Sequence, residues 1–384
     1  MKIGILTQPL HTNYGGLLQA YALQTVLERM GHEAQVVRRE WFWNHPDSRW
    51  VKTLIWLKAM VCRVLHRPVY VPVSSEEENA ISRFTSVFIS DNIKVTSRIY
   101  TNRSLKKEVR NQCFDVYVVG SDQVWRPRYS PCITNFFLDF LAREKHIRRV
   151  AYAASFGVDG WEYTPEQTEC CAALAGRFDA VSVREDSGIT LCRKYLHTEA
   201  VHVLDPTMLL EKEDYERLVG NVGEPLSDGK LFCYILDADD EKTALMRRIS
   251  QFTGLLSFSV MAKLPATLKN RRQHLEDCVF PPVTRWLRGF IDAEMVVTDS
   301  FHGCVFSIIF NKPFWVVGNA GRGMARFSSL LSMYGLEDRL VTPSSFREID
   351  VNRPIDWSRV NACRKEWQQK SLGFLSEALN QKHI

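Results

Sequence analysis

The sequence lacks the short motifs that identify a metal centre, a phosphate-binding loop or a serine nucleophile. Its ten histidines are scattered without an HxxxH pair, and its ten cysteines include no CxxC pair, which argues against a metal site. No P-loop, GxSxG elbow or GxGxxG fingerprint occurs. We therefore expect a protein without a metal or bound cofactor, whose cysteines are reduced thiols packed as small apolar side chains.

Long apolar runs and dense runs of positive charge are also missing. No stretch reaches about 18 consecutive apolar residues, so we expect no transmembrane helix. The opening "MKIGILTQPL" lacks the apolar core of a signal peptide, and we expect a cytoplasmic protein. The net charge of +5 is spread without a dense Lys/Arg run. Nucleic acid is thus not an expected partner, whereas an anionic small substrate or a membrane surface would each explain the excess.

What the sequence does contain is an alternation of short apolar runs with helical patterns. A length of 384 residues suits two α/β domains rather than one ordinary core. Residues 3–6 predict a strand, "GGLLQAYALQTVLERMG" a helix and "EAQVVRR" a second strand. This βαβ opening favours a parallel sheet with helices on both faces. Further strands are predicted at 114–120, 148–157, 178–184, 200–205, 231–236, 255–260, 293–298 and 312–317.

The pattern breaks at Asp205-Pro206-Thr207, and the polar stretch "GNVGEPLSDGK" follows. We predict a domain boundary there. The N-terminal Rossmann-like domain would cover residues 1–205, the C-terminal one residues 206–355, and a closing helix would lie in residues 356–384.

Residues 41–70 stand apart because they are basic and rich in tryptophan. Their apolar positions, with Trp50 and Leu57 among them, mark one face of a helix. Such a helix could rest peripherally on the inner face of the membrane. It could equally be an inserted helix that packs on its own domain.

Polar residues and glycines follow the predicted strands, at the end of a doubly wound sheet where ligands bind. Each corner also has a purely structural explanation. Gly15 and Gly16 could form a tight turn, Ser121 and Asp122 could cap a helix, and Arg184 could make an ion pair. The corners lie at residues 7–16, 120–125, 154–157, 184–187 and 298–303.

His302 lies in the first turn of the helix predicted after residues 293–298. Free amides and the helix dipole favour an anion at that position. An imidazole there can hydrogen-bond a phosphate and transfer a proton to it. The alternative is that Asp299 or Ser300 caps the helix while His302 simply packs.

Several segments, taken in order, resemble the polysaccharide pyruvyl transferase family. The resemblance runs from Lys2 to about Leu340 and leaves out the aromatic insert and the C-terminal tail. It implies two Rossmann-like domains facing across a cleft, as in GT-B proteins. It also implies transfer of pyruvate from phosphoenolpyruvate (PEP), the co-substrate, onto a sugar as a cyclic ketal, in bacterial capsule or exopolysaccharide synthesis. The segments are "NYGGLLQAYALQ", "VVGSDQVWRP", "AYAASFG", "SVREDSG", "LDPT", "TDSFHG" with "VFSIIFNKPF", and "RFSSLL".

Carried over by motif, the resemblance implies that His302 and Arg184 bind PEP. Some family members have an arginine just before the histidine, where this chain has Ser300-Phe301. The cation that meets the phosphate is therefore open. The residues expected to bind PEP are Arg184, Ser300, Phe301, His302, Gly303, Arg322 and Arg326.

The chemistry of ketal formation needs an acid and a base near two sugar hydroxyls. We expect His302 to be the acid and Asp122 the base, with Asp205 as the alternative base. The acceptor, a sugar or a lipid-linked saccharide, is expected on the N-terminal side. The residues expected to bind it are Asn13, Tyr14, Gly15, Gly16, Gly120, Ser121 and Asp122.

Two other functions fit the same sequence features. One is a GT-B-type glycosyltransferase that uses a nucleotide sugar. The other is a non-catalytic carbohydrate-binding or scaffold protein of a polymer assembly complex.

Overall fold

The computed structural model of the protein describes residues 1–42, 53–54, 56–58, 60–61, 73–318, 323–342 and 350–380. Arg322, Trp50 and most of the predicted insert at 41–70 lie outside the described residues.

A first sheet of six parallel strands forms from the N-terminal half of the chain. Its strand order is β2-β1-β3-β4-β5-β6, so the direction in which strands are added reverses between β1 and β3. Every residue of β3 and β4 is buried, as expected for strands covered on both faces. The strands are β1 Lys2–Leu6, β2 Glu33–Val36, β3 Val116–Val119, β4 Arg148–Ala154, β5 Ala180–Val183 and β6 Val201–His202.

A second sheet of five parallel strands follows, in the order β11-β10-β9-β7-β8. Here the direction reverses between β7 and β9. Each strand predicted from an apolar run has a counterpart in the two sheets, whereas β11, a strand of two residues, was not predicted. The strands are β7 Leu231–Tyr234, β8 Ser257–Phe258, β9 Met295–Thr298, β10 Phe314–Val317 and β11 Leu340–Val341.

Helices cover the faces of both sheets, which confirms the predicted α/β class. Among the described residues, no helix combines the length and apolarity needed to cross a membrane. The α-helices are α1 Tyr14–Arg29, α2 Ser75–Ile81, α3 Arg83–Asn92, α4 Asn102–Gln112, α5 Pro165–Ala175, α6 Ser187–Leu191, α7 Lys212–Asn221, α8 Asp240–Thr253, α9 Leu268–Gln273, α10 Val283–Asp292, α11 Phe301–Ile309, α12 Ala325–Tyr334 and α13 Trp357–Asn380. Short 3₁₀ turns lie at Ile133–Phe137, Asp139–Leu141, Pro206–Leu209, Leu275–Cys278 and Glu337–Arg339, and a π turn at Cys192–Leu196.

One apolar core joins the two sheets. The same cluster contains Ile5 of β1 and Val118 of β3 together with Phe232 of β7 and Val296 of β9. The closing helix α13 returns to the first sheet, where the hydroxyl of Ser371 accepts the amide hydrogen bond of Leu204 at 2.9 Å. The division of the chain into domains at residue 205 stays a prediction.

Tyr14, which was expected to contact the acceptor, lies in this shared core. Its ring stacks on Trp286 of α10 with 5.6 Å between ring centres. Its hydroxyl donates to the carbonyl of Pro281 at 2.8 Å. Tyr14 therefore ties the start of α1 to the second sheet.

We expect Tyr14→Phe to lower the free energy of unfolding by about 1 kcal/mol, because it removes one buried hydrogen bond. Tyr14→Ala should lower it by about 3–5 kcal/mol, because it also leaves a cavity. Urea denaturation followed by circular dichroism measures both. Tyr195→Phe, on a ring that stacks outside the shared core against Trp161, is the control. Equal stability of Tyr14→Ala and wild type would contradict this role.

Candidate functional site

The two points at which strand order reverses open onto one cleft of about 390 Å³. Ligands of doubly wound sheets bind at such points, beyond the carboxyl ends of the strands. The segments after β1 and β3 therefore face those after β7 and β9. The residues that line the cleft are Gln8, Pro9, His11, Asn13, Trp41, Asp122, Gln123, Arg128, Tyr129, Leu236, Asp299, Ser300, Phe301, His302 and Arg326.

His302 lies in the first turn of α11 and contacts a carboxylate from the other half of the chain. Its Nε2 is 3.7 Å from Oδ2 of Asp205. Asp205 is held in turn by Thr207, whose amide and hydroxyl donate to Oδ1 at 3.0 and 2.7 Å. The contact between His302 and Asp205 is longer than a hydrogen bond, and such contacts often tighten only when substrate binds.

Arg184 connects Asp205 to Asp122. Its guanidinium donates to Oδ2 of Asp205 at 2.9 Å and to Oδ1 of Asp122 at 3.3 Å. The ring of Phe301 covers the same guanidinium, 4.4 Å from its centre. The side chain is only 1% exposed, and the described residues that line the cleft do not include it. Arg184 thus holds two carboxylates in place, and its predicted contact with PEP stays a prediction.

The charges of these buried groups influence one another. Burial alone would raise the pKa of Asp205, but His302, Arg184 and the Thr207 hydroxyl together hold it well below its ordinary value. Burial alone would lower the pKa of Arg184, but the carboxylates of Asp122, Asp205 and Glu185 together raise it. Burial and then the neighbouring charge of Arg184 lower the pKa of Arg326 to about 10. Asp205 therefore stays ionised, and an anion in the cleft would stabilise the charge of Arg326.

Gly15 and Gly120 allow close approaches that no larger residue permits. A β-carbon on Gly15 would lie 2.1 Å from Nδ1 of His302, so the first turn of α1 forms a wall of the histidine's pocket. A β-carbon on Gly120 would lie 1.9 Å from the carbonyl oxygen of Tyr152, and its φ of +129° is open only to glycine.

The remaining residues expected at the acceptor side divide into two groups. Asn13 lines the cleft and caps α1, because its Oδ1 accepts the amide hydrogen of Gly16 at 3.2 Å. Ser121 is buried, and its hydroxyl donates to Oε1 of Gln19 at 2.8 Å. Gly16 is also engaged from within, since its carbonyl accepts from Gln19 at 2.9 Å. Only Asn13 and Asp122 of the expected acceptor residues line the cleft among the described residues.

The start of α11 is fixed from behind by Asp299. Its carboxylate accepts the amide hydrogens of Leu236 and Asp237 at 2.7 and 3.1 Å and the ammonium of Lys242 at 2.8 Å. Asp299 therefore braces the turn that carries the histidine. Three further residues that were expected to bind PEP line the cleft, namely Ser300, Phe301 and Arg326.

Gly303 instead packs against the end of β9. A β-carbon there would lie 2.1 Å from the Thr298 hydroxyl, which lets α11 start close to the strand. The side chain of Ser300 makes no capping bond to α11. The helix is nine residues long, and the amides of such a first turn are groups that suit an anion.

Several lining residues were absent from the predicted site. His11, Trp41, Arg128 and Tyr129 line the cleft. His11 and Arg128 were within reach of sequence reasoning, because they belong to the segments that follow β1 and β3. Tyr129 carries no motif or periodicity that would single it out, and Trp41 was noted only as part of the tryptophan-rich insert at 41–70. Within the described part of the chain, no group of three His, Cys, Asp or Glu could hold a metal ion.

The fold of this chain is similar to that of a solved structure over its whole length. A UDP-N-acetylglucosamine 2-epimerase superposes with a TM-score of 0.50 at 12% identity, covering 100% of this chain and 97% of that chain. This likeness shows the fold alone, and it confirms the predicted GT-B-like architecture.

Two further structures match less well. The UDP-GlcNAc 2-epimerase from Neisseria meningitidis gives a TM-score of 0.47 at 10% identity, covering 99% of both chains. MurG from Acinetobacter baumannii gives 0.45 at 10% identity, again covering 99% of both chains. A search of curated proteins finds no match.

Comparison with models of protein families gives information beyond the fold. The model of the family described as "Polysaccharide pyruvyl transferase" matches residues 13–321, which include the cleft-lining residues that follow β3, β7 and β9. This chain therefore belongs to the polysaccharide pyruvyl transferase family.

Proposed function

We propose that this protein transfers pyruvate from PEP onto a sugar as a cyclic ketal, in the synthesis of a bacterial surface polysaccharide such as a capsule or exopolysaccharide. The reaction would take place on the cytoplasmic side of the membrane. The observation that carries the proposal is the position of His302. It lies at the start of a helix, against a buried ionised carboxylate, in a cleft that Arg326 also lines.

PEP carries a phosphate and a carboxylate, and the cleft offers groups that suit both. The amides at the start of α11 and the guanidinium of Arg326 would bind one anionic group. Arg128, which is exposed and lines the same cleft, adds positive charge that favours a multiply charged anion there without direct contact. The family match supports PEP as the donor.

The reaction adds one proton to the PEP methylene and removes one proton from each of two sugar hydroxyls. Protonation of the methylene makes the central carbon electrophilic, and the first hydroxyl attacks it. The carbon–oxygen bond to phosphate then breaks, and the second hydroxyl closes the ring. One hydroxyl proton replaces the proton that the methylene took, and the other leaves with phosphate.

Three side chains would take part in these proton transfers. His302 is the proposed acid, which protonates the methylene or the departing phosphate. Asp205 would orient the imidazole and stabilise its charged form, since it is buried and ionised. Asp122 lines the cleft and is the proposed base for a sugar hydroxyl, with Arg184 fixing its position.

Release of phosphate from PEP in the presence of galactosyl, mannosyl and N-acetylhexosamine acceptors tests the proposal. We expect at least one acceptor to give phosphate and ketal in equal amounts. His302→Ala should lower kcat by about 10²–10⁴-fold, because it removes a general acid. His274→Ala, at an exposed histidine away from the cleft, is the matched control.

Other outcomes distinguish the competing functions. Tight binding of a nucleotide sugar without any response to PEP would favour a glycosyltransferase. Polysaccharide synthesis that is unchanged in cells carrying His302→Ala would favour a binding or scaffold protein.

The close contact between Gly15 and His302 gives a second test of the active site. Gly15→Ala should displace the imidazole and lower kcat about 100-fold, since a shift of about 1 Å in a catalytic group has that effect. Gly220→Ala, in a helix where a β-carbon meets nothing within 4 Å, is the control and should turn over like wild type. Phosphate release measures both, and unchanged turnover in Gly15→Ala would show that His302 needs no such wall.

We also propose that the insert at 41–70 helps the protein to rest on the membrane if the acceptor is lipid-linked, and its described residues Trp56, Leu57 and Val61 support this. Trp56 and Val61 are 59% and 56% exposed, and Leu57 and Met60 are exposed beside them. Exposed apolar side chains next to a cation such as Lys58 suit a membrane interface.

Trp56→Glu should lower binding to liposomes that contain phosphatidylglycerol, because it places a negative charge where an apolar ring would enter the interface. Turnover of a soluble acceptor should not change. Val222→Glu, at another exposed apolar residue, should affect neither property. Joint loss of liposome binding and turnover would instead indicate a helix packed on its own domain.

A further inference from the structure

The segment 122–130, which follows β3 and forms one wall of the cleft, is held rigidly from behind. The ring of Trp125 is fully buried and stacks on Phe137 with 4.9 Å between centres. Its indole donates to the carbonyl of Phe136 at 3.0 Å, and its own carbonyl accepts from the hydroxyl of Tyr163 at 2.7 Å. Side chains that this segment presents to the cleft are therefore pre-positioned.

Arg126 extends this bracing to Tyr129. Its guanidinium donates twice to the carboxylate of Glu162, at 2.9 Å each, and once to Oε1 of Gln123 at 3.1 Å. The same guanidinium lies 4.7 Å from the ring centre of Tyr129. A buried cation that is held by three hydrogen bonds thus supports an aromatic ring at the wall of the cleft.

Tyr129 lines the cleft together with Arg128 and Asp122. An aromatic face suits the C–H face of a pyranose ring. Arg128 supplies donors for sugar oxygens, and Asp122, which meets Arg184 through Oδ1, supplies an acceptor for a hydroxyl. A carboxylate at this position suits hydroxyl groups better than the diphosphate of a nucleotide.

We propose that Tyr129 is the platform on which the sugar ring of the acceptor stacks, with Arg128 donating to its oxygens, and that this pair determines which sugars enter the cleft. The inference deepens the proposed function, and its kinetic part rests on it. Asp122, the proposed base, lines the same cleft, so ring stacking and hydroxyl activation would involve residues of one braced segment.

Direct binding tests the platform without PEP. Saturation-transfer NMR of the full chain with methyl galactoside, methyl mannoside and N-acetylglucosamine should show binding of at least one sugar. Tyr129→Ala should weaken that binding about 10-fold, the size of one lost ring contact. Tyr129→Leu, which keeps apolar volume without an aromatic face, should weaken it as well, whereas Tyr129→Phe should retain it.

Tyr195→Ala is the matched control. Its ring also has a cation against it, Lys194 at 4.9 Å, but stacks on Trp161 outside the residues that line the cleft. Thermal unfolding of each variant verifies that the fold is retained. Sugar binding that is the same in Tyr129→Ala, Tyr129→Leu and wild type, or absent from wild type, would overturn the platform.

Kinetics separate this inference from the proposed function. With PEP as donor, Tyr129→Ala should raise the acceptor KM about 10-fold and leave the PEP KM unchanged. An unchanged acceptor KM would overturn the platform while leaving pyruvyl transfer intact. Sugar binding that depends on the Tyr129 ring, without any release of phosphate from PEP, would support the platform and contradict the proposed function.

Discussion

The buried carboxylate of Asp205 is the group on which the geometry of the cleft depends. It lies in the interior, where an ionised group without partners is strongly unfavourable, and it receives Arg184 from the end of β5, Thr207 from the following turn and His302 from α11. Removing Arg184 would leave a buried carboxylate without its compensating charge, and removing Thr207 would take away a buried hydrogen bond. The contacts that stabilise the buried carboxylate therefore also hold His302, which follows the second sheet, against a residue that follows the first.

Sheet topology explains why this contact can form. Both sheets reverse their strand order next to the strands that carry the site, β1 and β3 in one and β7 and β9 in the other. The shared apolar core, which includes the stack of Tyr14 on Trp286, holds the carboxyl ends of these strands face to face. Catalysis that relies on a fixed distance between groups from two sheets benefits from such a core.

The sequence predicts the strands well, because buried parallel strands are continuous apolar runs, and it predicts the position of His302 from its place at a helix start. It does not predict partners that are distant along the chain. Arg184 binds Asp122 and Asp205 because neighbouring strands of the sheet bring them together. Tyr14 donates to the carbonyl of Pro281, which is 267 residues away. Tyr129 was not foreseen because a half-buried aromatic residue in a loop carries no periodicity, and its significance comes from Arg126, which packs against its ring.

The most direct measurement of the central claim is a crystal structure of the protein with PEP bound. We predict that the phosphate or carboxylate of PEP lies within hydrogen-bond distance of His302 and the first amides of α11, with Arg326 against it and with His302 in contact with Asp205. PEP bound away from α11, or a His302 side chain turned away from both Asp205 and the ligand, would contradict the account.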